Sequence, residues 1–312
     1  MLASVTLALA ALFSLAGRAS DGDLDPRLRV GLTAQPAEPR FELQDGDRIV
    51  WIGSTIVERE QRYGFWETAL HAAFPDKQFT HRNLGWSGDT VYGDARAGFE
   101  TPAKGFKDLV KLTLDLKPTV IFVSYGANES FEGEAGLSKF EKGLDTLLDA
   151  LKPAKARLVL FSPAALYGGI RGVDVVGRHK QLHQYADVIR KTAAARGAFF
   201  ADLQEKTLGI SVVVTDNGVH PTEDGYKNLS WSFLAVLGTK NVLPDWKKLE
   251  PLRQAVLAKN ELFFHRWRPQ NETYLFGFRK AEQGKNAIEI PQFDPIVVQV
   301  EERIRKLSEK GN

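Results

Sequence analysis

The sequence predicts an α/β protein in which helices cover both faces of a parallel sheet. Three observations indicate this fold class: strand-like and helix-like segments alternate from about residue 48, the strand-like runs are almost continuously apolar, and the chain has 312 residues. Strands that are buried on both faces of a parallel sheet have unbroken apolar runs rather than alternating ones. A chain of this length accommodates one such domain together with an extension.

Five segments have the composition of buried strands. Residues 119–125 (TVIFVSY) give the strongest signal, because β-branched and aromatic side chains dominate them. The other four predicted strands are of similar length and lie at residues 48–53, 79–84, 157–162 and 198–203. The count predicts a sheet of five strands.

Segments with helical periodicity separate these strands. They lie at residues 63–74, 106–116, 137–151, 178–196 and 222–237. Gly197 follows the longest of them and suits the left-handed conformation in which helices commonly end. Thr222 is a typical N-cap, and Glu223 and Asp224 in the first turn favour the positive end of the helix dipole. Because the strand–helix units repeat, we expect parallel strands, with ligand sites beyond their carboxyl ends.

The first 44 residues differ from this α/β region. Residues 1–16 are apolar but too short for an ordinary transmembrane helix, and Gly17 and Ala19 supply the small residues of a signal-peptidase site. We therefore predict a signal peptide over residues 1–20 and an exported protein, periplasmic or extracellular. Residues 21–44, rich in Pro, Arg, Asp and Gly, are predicted to form a linker or arm. No other apolar stretch approaches the length of a membrane span, so no integral span is expected after removal of the leader.

The composition shifts again in the C-terminal extension, residues 241–312. Two predicted helices, at residues 243–259 and 293–307, flank an aromatic and basic stretch, and Pro244 and Pro251 predict breaks in the first helix. In some proteins such a stretch stacks on nucleobases or sugars. The interpretation we favour is that the aromatic residues dock the extension on the main domain while the arginine heads reach solvent.

Composition excludes several classes of function. The chain has no cysteine, which rules out disulfides, thiolate catalysis and cysteine-ligated zinc. Its net charge of +2 provides no basic field, so no nucleic-acid partner is expected. No sequence pattern specifies an oligomeric state.

Four short motifs occur at the ends of predicted elements. The first three each follow a strand-like run and the fourth precedes a helix; they are Gly53-Ser54-Thr55, Asn83-Leu84-Gly85-Trp86-Ser87-Gly88, Gly126-Ala127-Asn128 and Asn217-Gly218-Val219-His220-Pro221. In this order they resemble the sequence blocks of the SGNH/GDSL hydrolases, a family of serine esterases and lipases. The resemblance covers about residues 45–240. It implies a three-layer α/β/α sandwich on a five-stranded parallel sheet of flavodoxin-like type, ester hydrolysis, and no metal or organic cofactor.

The resemblance places a nucleophile in the first motif. Where the family has Gly-Asp-Ser, this chain has Gly53-Ser54-Thr55, so that in strict register Thr55 stands at the nucleophile position. A threonine hydroxyl attacks carbonyl groups, although its β-methyl group crowds the approach and restricts the side chain. Ser54 is the alternative nucleophile and requires a reshaped turn.

The fourth motif supplies the base. His220 lies in a loop flanked by Gly218 and Pro221, where an imidazole is exposed and positioned. The family's orienting aspartate, three residues before the histidine, is Asn217 here, and a neutral amide stabilises an imidazolium less well than a carboxylate does. Asp216, one residue earlier, is the alternative orienting residue.

The second and third motifs supply donors for the oxyanion. Gly85 permits close approach of its backbone N–H to a ligand, and the side-chain amide of Asn128 follows a strand and a turn, which points it over the edge of the sheet. Trp86 is predicted to stack on a sugar ring. Glu129 is predicted to contact substrate, or to fix the turn by accepting backbone N–H groups.

Together these features predict an exported hydrolase of carboxylic esters, with short acyl groups such as acetyl on a carbohydrate as substrate. Acyl transfer would pass through an ester on Thr55 or Ser54. Two alternatives remain open. One is a catalytically impaired protein on the same fold that binds carbohydrate or a protein partner, and the other is an interaction module that uses the aromatic and basic extension.

Overall fold

The computed structural model describes residues 41–165, 174–208, 215–239 and 244–310. The strands are β1 (Asp47–Gly53), β2 (Phe79–Asn83), β3 (Val120–Ser124), β4 (Arg157–Phe161) and β5 (Phe199–Ala201). They form one parallel sheet in the order β2-β1-β3-β4-β5. This is the strand order of flavodoxin-like sheets, in which the direction of winding reverses between β1 and β3. The predicted fold class and strand count are confirmed.

Helices cover both faces of the sheet. They are α1 (Thr55–Tyr63), α2 (Phe65–Ala73), α3 (Pro102–Asp115), α4 (Leu137–Leu151), α5 (Val175–Arg196), α6 (Leu203–Thr207), α7 (Glu223–Val236), α8 (Trp246–Trp267), α9 (Glu272–Leu275), α10 (Lys280–Gln283) and α11 (Phe293–Lys310). The helix predicted over residues 63–74 is confirmed as α2, whereas α1, which precedes it and ends at Gly64 with a φ of 65°, was not predicted. The break predicted at Pro251 is absent, because a proline in the second turn of α8 removes only one intrahelical hydrogen bond.

The strands present apolar side chains to both faces. In β1, Ile49 and Trp51 belong to one core, and Val50 and Ile52 belong to the other. Trp51 stacks on Trp66 of α2, with ring centroids 5.6 Å apart. Burial on both faces explains why the strands read as continuous apolar runs.

The predicted arm over residues 21–44 ends earlier than expected. Phe41 and Leu43 are buried in the core, and the Phe41 ring meets Phe122 of β3 edge to face at 5.5 Å. These two residues therefore belong to the folded domain. The predicted leader and the remainder of the arm lie outside the described residues. Within the described part of the chain, no helix is long and apolar enough to cross a membrane.

A buried ionic cluster joins the C-terminal extension to the α/β domain. Lys259 of α8 places its Nζ 2.7 Å from Oε1 of Glu67 in α2 and donates to the backbone oxygen of His81 in β2 at 3.0 Å. Nδ1 of His81 lies 3.1 Å from the other carboxylate oxygen of Glu67. The side chains of Lys259 and Glu67 are each only 1% exposed. The extension is therefore tied to the domain by charges that have been removed from water.

A second carboxyl group lies beside this cluster. Glu60 of α1 is fully buried, and its Oε1 accepts the backbone N–H of Trp66 at 2.8 Å. Burial and the nearby charge of Glu67 raise the pKa of Glu60 to about 7. Burial acts in the same direction on Glu67, but Lys259 and His81 outweigh it and hold the pKa of Glu67 well below its usual range. In slightly acidic solution Glu60 is therefore protonated while Glu67 is ionised.

Glu60→Gln is expected to make the free energy of unfolding less sensitive to rising pH. Native Glu60 keeps its proton up to about pH 7, whereas the unfolded chain releases it near 4.5. The free energy of unfolding therefore falls as pH rises through this window, by up to about 3 kcal/mol, and a glutamine avoids that loss. Urea unfolding at about pH 5 and pH 8 measures the difference. Glu261→Gln, at an exposed position of α8, is the control, and parallel pH profiles for Glu60→Gln and the unmodified protein would contradict the assignment.

Candidate active site

Residues from three of the four motifs meet beyond the carboxyl ends of β1 and β3. A small cavity of about 50 Å³ is lined there by Ser54, Thr55, Asn128 and His220, together with Arg178 and mostly apolar and aromatic side chains. The site lies where the winding of the sheet reverses, which is the usual position for a ligand site in this fold. Four of the predicted catalytic residues therefore share one cavity.

Thr55 is the first residue of α1 and follows β1 after a single intervening residue. Its Oγ1 accepts the backbone N–H of Gly88 at 3.0 Å. The hydroxyl lies at the positive end of α1, where negative charge is stabilised. Ser54 takes the N-cap position without a capping hydrogen bond from its side chain, is 3% exposed, and donates its backbone N–H to Ser124 at 3.3 Å. The geometry favours Thr55 over Ser54 as the nucleophile.

The prediction that Gly85 supplies an oxyanion donor is wrong. Its backbone N–H donates to Oδ1 of Asn83 at 2.8 Å. A side chain at position 85 would come within 2.3 Å of the backbone nitrogen of Glu58. The glycine is thus required for close packing of its loop against α1, and its N–H does not serve the cavity.

The backbone N–H that faces Thr55 belongs instead to Gly88, three residues later in the same motif. Its N–H points at Oγ1 of Thr55, and its φ of 76° lies in the left-handed region that favours glycine. Nδ2 of Asn128 donates one proton to the backbone oxygen of Asp89 at 2.8 Å, and its second proton is available to a ligand in the cavity. Gly88 and Asn128 are therefore the candidate oxyanion donors.

Glu129 has a structural role rather than a substrate-binding one. Its two carboxylate oxygens accept the backbone N–H groups of Val91 at 2.9 Å and Gly126 at 2.8 Å. Burial raises the pKa of Glu129, and these hydrogen bonds oppose the shift. The prediction that it fixes the turn is confirmed, whereas the prediction that it contacts substrate is wrong, because the buried carboxylate is occupied by backbone groups.

Trp86 does not line the catalytic cavity. The guanidinium carbon of Arg268 lies 3.5 Å from its ring centroid, and that of Arg96 lies 5.4 Å away. Trp267 meets the same ring at 5.8 Å. Trp86 instead forms part of the wall of a separate cavity of about 520 Å³ between α3 and the extension. The predicted stacking of Trp86 on a substrate sugar is therefore wrong, since residues of the chain itself engage the ring.

These contacts connect the extension to the loop that carries the candidate oxyanion donor Gly88. Arg268 stacks on Trp86, and its Nη1 lies 3.2 Å from Oε1 of Glu58. The other carboxylate oxygen of Glu58 accepts the backbone N–H of Ser87. Ser87 immediately precedes Gly88, so the extension helps to fix the N–H that faces Thr55. The favoured prediction, that the aromatic and basic stretch docks on the domain, agrees with this arrangement.

Asn217 determines the tautomer of His220. Oδ1 of Asn217 accepts the backbone N–H groups of Val219 at 3.1 Å and His220 at 3.0 Å, which fixes the orientation of its amide. Its Nδ2, a donor, therefore faces Nδ1 of His220 at 3.2 Å. Nδ1 must accept, and the ring proton of the neutral imidazole is on Nε2. In this tautomer Nε2 cannot take a proton from a nucleophile.

Asp216 does not replace the missing orienting acid. Its carboxylate forms an ion pair with Arg59 of α1. Burial lowers the pKa of His220, Arg59 lowers it further, and Asp216 offsets only part of this effect. The imidazole is thus neutral near pH 7 and has an amide for its orienting neighbour. The alternative prediction of Asp216 as orienting residue is not supported, because Arg59 holds that side chain.

Two residues of the cavity region were not predicted from the sequence. Gly88 lies within a quoted motif, and its spacing from Thr55 could have suggested it. Arg178 of α5 also lines the cavity, but nothing in its local sequence distinguishes it from the other basic residues of that helix. Within the described residues, no group of three or more His, Asp or Glu side chains could hold a metal ion.

The family comparison agrees with the geometry. Residues 46–227 match the model of the GDSL-like lipase/acylhydrolase family. No curated protein sequence matches the chain.

Solved structures share the fold at low sequence identity. A gut microbial diltiazem-metabolizing enzyme is 13% identical, with a TM-score of 0.63 over 88% of this chain and 98% of that one. A GDSL-like lipase from Parabacteroides merdae is 18% identical, with a TM-score of 0.51 over 65% of this chain and 100% of that one. A catalytic mutant of an acetylxylan esterase from Geobacillus stearothermophilus is 20% identical, with a TM-score of 0.50 over 64% and 98%.

Proposed function

The chain belongs to the GDSL-like lipase/acylhydrolase family, and from this premise we propose that it hydrolyses short-chain carboxylic esters with Thr55 as nucleophile. The observation that carries the proposal is the hydrogen bond from the Gly88 N–H to Oγ1 of Thr55, in a cavity shared with His220 and Asn128. Nucleophile, base and oxyanion donors are the parts that acyl transfer requires.

The reaction follows from these positions. Oγ1 of Thr55 attacks the carbonyl carbon and gives its proton to His220, while the oxyanion accepts the N–H groups of Gly88 and Asn128. Collapse of this intermediate breaks the bond to the alcohol, which leaves with the proton from His220. Water then hydrolyses the acyl-threonine and restores Thr55. His220 must first exchange its Nε2 proton for one on Nδ1, which costs the contact with Asn217, so we expect slow turnover.

The cavity supports a small acyl group. Its volume of about 50 Å³ is far below the roughly 300–1,000 Å³ of sites for drug-sized ligands. We further propose that the acyl group is an acetyl group on a carbohydrate, which is the chemistry named for the acetylxylan esterase that shares the fold. We also propose that the protein is exported, because its sequence begins with an apolar leader.

A second candidate function is ligand binding without turnover. The observation that favours it is the amide of Asn217 against Nδ1 of His220, which leaves the base in the unproductive tautomer. Such a protein would bind an ester or its product in the same cavity and form no acyl adduct.

Thr55→Ala is expected to lower kcat/KM for p-nitrophenyl acetate at least 10³-fold, a loss of the order seen when a nucleophile is removed. Mass spectrometry of the quenched reaction should locate the acyl group on the peptide that contains Thr55, and Ser54→Ala should still acylate there. His220→Ala serves as the catalytically impaired control. An acyl adduct on Ser54 would refute the nucleophile assignment, and a rate equal to buffer for all proteins would favour the binding function.

A further inference from the structure

The catalytic cavity contains one side chain with a full charge. Among the described residues that line it, only Arg178 is charged at neutral pH. Burial lowers the pKa of His220 and raises that of Tyr125 well above its ordinary value, so both are neutral. A guanidinium is therefore the dominant charge that a bound ester would experience.

Neutral groups alone hold this guanidinium. Arg178 donates from Nη1 to the backbone oxygen of Ser130 at 3.0 Å and to Oε1 of Gln181 at 2.7 Å. Its Nη2 donates to Oγ of Ser130 at 2.9 Å, and its guanidinium carbon lies 3.9 Å from the ring centroid of Phe131. Its Nε is buried and has no hydrogen-bond partner in the described structure.

No acidic side chain of the described structure compensates the charge of Arg178. Burial lowers the pKa of its guanidinium, and Tyr185 is the only group that opposes the shift. Arg190, three turns further along α5, shows the contrast, because it forms ion pairs with Asp187 and Asp202. Partial burial of an unpaired charge is costly unless a counter-ion arrives.

We propose that Arg178 recognises a carboxylate on the substrate, so that the preferred ester is anionic. This inference rests on the proposed function, because it names the substrate class of the same site. The guanidinium lies over the Phe131 ring, and its second Nη2 proton and its Nε proton are not used by the hydrogen bonds to Ser130 and Gln181. A carboxylate is the planar anion that such neighbouring guanidinium donors match. The carboxylate can belong to the acyl group, as in a half-ester of a dicarboxylic acid, or to the alcohol, as in an acylated hydroxy acid.

Matched pairs of esters test the proposal. For the alcohol side, 4-acetoxybenzoate is compared with its methyl ester. For the acyl side, 4-nitrophenyl hemisuccinate is compared with its methyl ester. Each kcat/KM is divided by the rate of hydrolysis in buffer, which removes differences in intrinsic reactivity. We expect the anionic member of at least one pair to be favoured roughly 10–100-fold, and the favoured pair identifies which side carries the carboxylate.

Variants show whether Arg178 causes the preference. Arg178→Gln is expected to reduce the ratio of anionic to neutral ester to about one, whereas Arg178→Lys keeps part of it. Lys180→Gln removes the same charge from an exposed position of α5 and should leave the ratio unchanged. Two outcomes would overturn the inference. One is that, with the unmodified protein, the corrected kcat/KM is equal for both members of both pairs, and the other is that the preference for the anionic ester survives Arg178→Gln. The first of these outcomes needs no variant, so misfolding cannot conceal it.

Failure of the proposed function is distinguishable from failure of this inference. If neutral esters are hydrolysed without an anionic preference, the esterase proposal stands and the role of Arg178 falls. If no ester is hydrolysed, titration calorimetry compares the binding of 4-acetoxybenzoate and its methyl ester. The inference is supported if the anion binds at least tenfold more tightly than the methyl ester and this difference is lost in Arg178→Gln. Equal affinities for the two compounds overturn it.

Discussion

Asn217→Asp is expected to raise kcat for a short-chain ester by roughly 10²–10⁴-fold. In serine proteases the reverse change, from Asp to Asn at the orienting position, lowers kcat by about 10⁴ because the imidazole takes the wrong tautomer. This chain carries the amide, with its Nδ2 facing Nδ1 of His220 at 3.2 Å. An aspartate of the same shape would accept a hydrogen bond from Nδ1–H, which places the ring proton on Nδ1 and leaves Nε2 free to act as base.

The substitution is conservative in its other contacts. Oδ1 of Asn217 already accepts two backbone N–H groups, from Val219 and His220, and one oxygen of an aspartate can continue to accept both. The second oxygen then replaces Nδ2. The new carboxylate should also raise the pKa of His220, so that the activity of the variant is lost as pH falls through that raised pKa.

Steady-state kinetics of p-nitrophenyl acetate hydrolysis between about pH 5 and pH 9 measures both effects. Asn217→Ala is the matched control, because it removes the amide without supplying a carboxylate, and it should not reproduce the gain. Combining Asn217→Asp with His220→Ala should abolish the gain. A rate for Asn217→Asp equal to that of the unmodified protein would show that the tautomer of His220 does not limit turnover.

Lys259→Met is expected to lower the free energy of unfolding by about 3–5 kcal/mol, the range for removing one partner of a buried ion pair. Lys259 is completely buried, and its Nζ contacts the carboxylate of Glu67, the backbone oxygen of His81 and Oδ1 of Asn260. Without the ammonium, Glu67 keeps a buried negative charge near Glu60, and only His81 and His71 remain to offset it.

Denaturant unfolding of Lys259→Met, Glu67→Gln and the double variant forms a cycle that isolates the pair. We expect the double variant to be more stable than the sum of the two single losses predicts, because no uncompensated charge remains. Lys247→Met, at an exposed position of the same helix, should change stability by less than about 0.5 kcal/mol. Additive losses around the cycle would mean that Lys259 contributes by packing alone.

The sequence predicted the sheet well, because four of the five strands are largely apolar, although β2 contains Thr, His, Arg and Asn. It did not predict most of α1, since residues 55–63 are largely polar, and the helix predicted over residues 63–74 corresponds to α2 alone. The docking of the extension depends on Lys259 and Glu67, which are 192 positions apart. No local pattern reveals a contact over that separation.

In the candidate site, too, the local features were predicted from the sequence and the spatial ones were not. The ends of the predicted strands placed Thr55 and Asn128 together, because residues that follow parallel strands meet at one edge, and the family resemblance added His220. The direction of a backbone N–H cannot be read from a motif, and so the sequence suggested Gly85 as oxyanion donor, whereas the N–H that faces Thr55 belongs to Gly88. The role of Arg178 depends on the absence of a nearby carboxylate in space, which a sequence does not display.

The contact of Arg268 with Trp86 and Glu58 limits which segments of the chain can be exchanged by recombination. The segment matched by the family model ends at residue 227, within α7 and before Phe233, whose ring stacks on Trp51 at 5.3 Å. A recombination event that transferred only this segment would carry Thr55 and Gly88 without the arginine that holds their loop. We therefore expect an exchange that preserves the geometry of this site to include the α/β domain together with its extension.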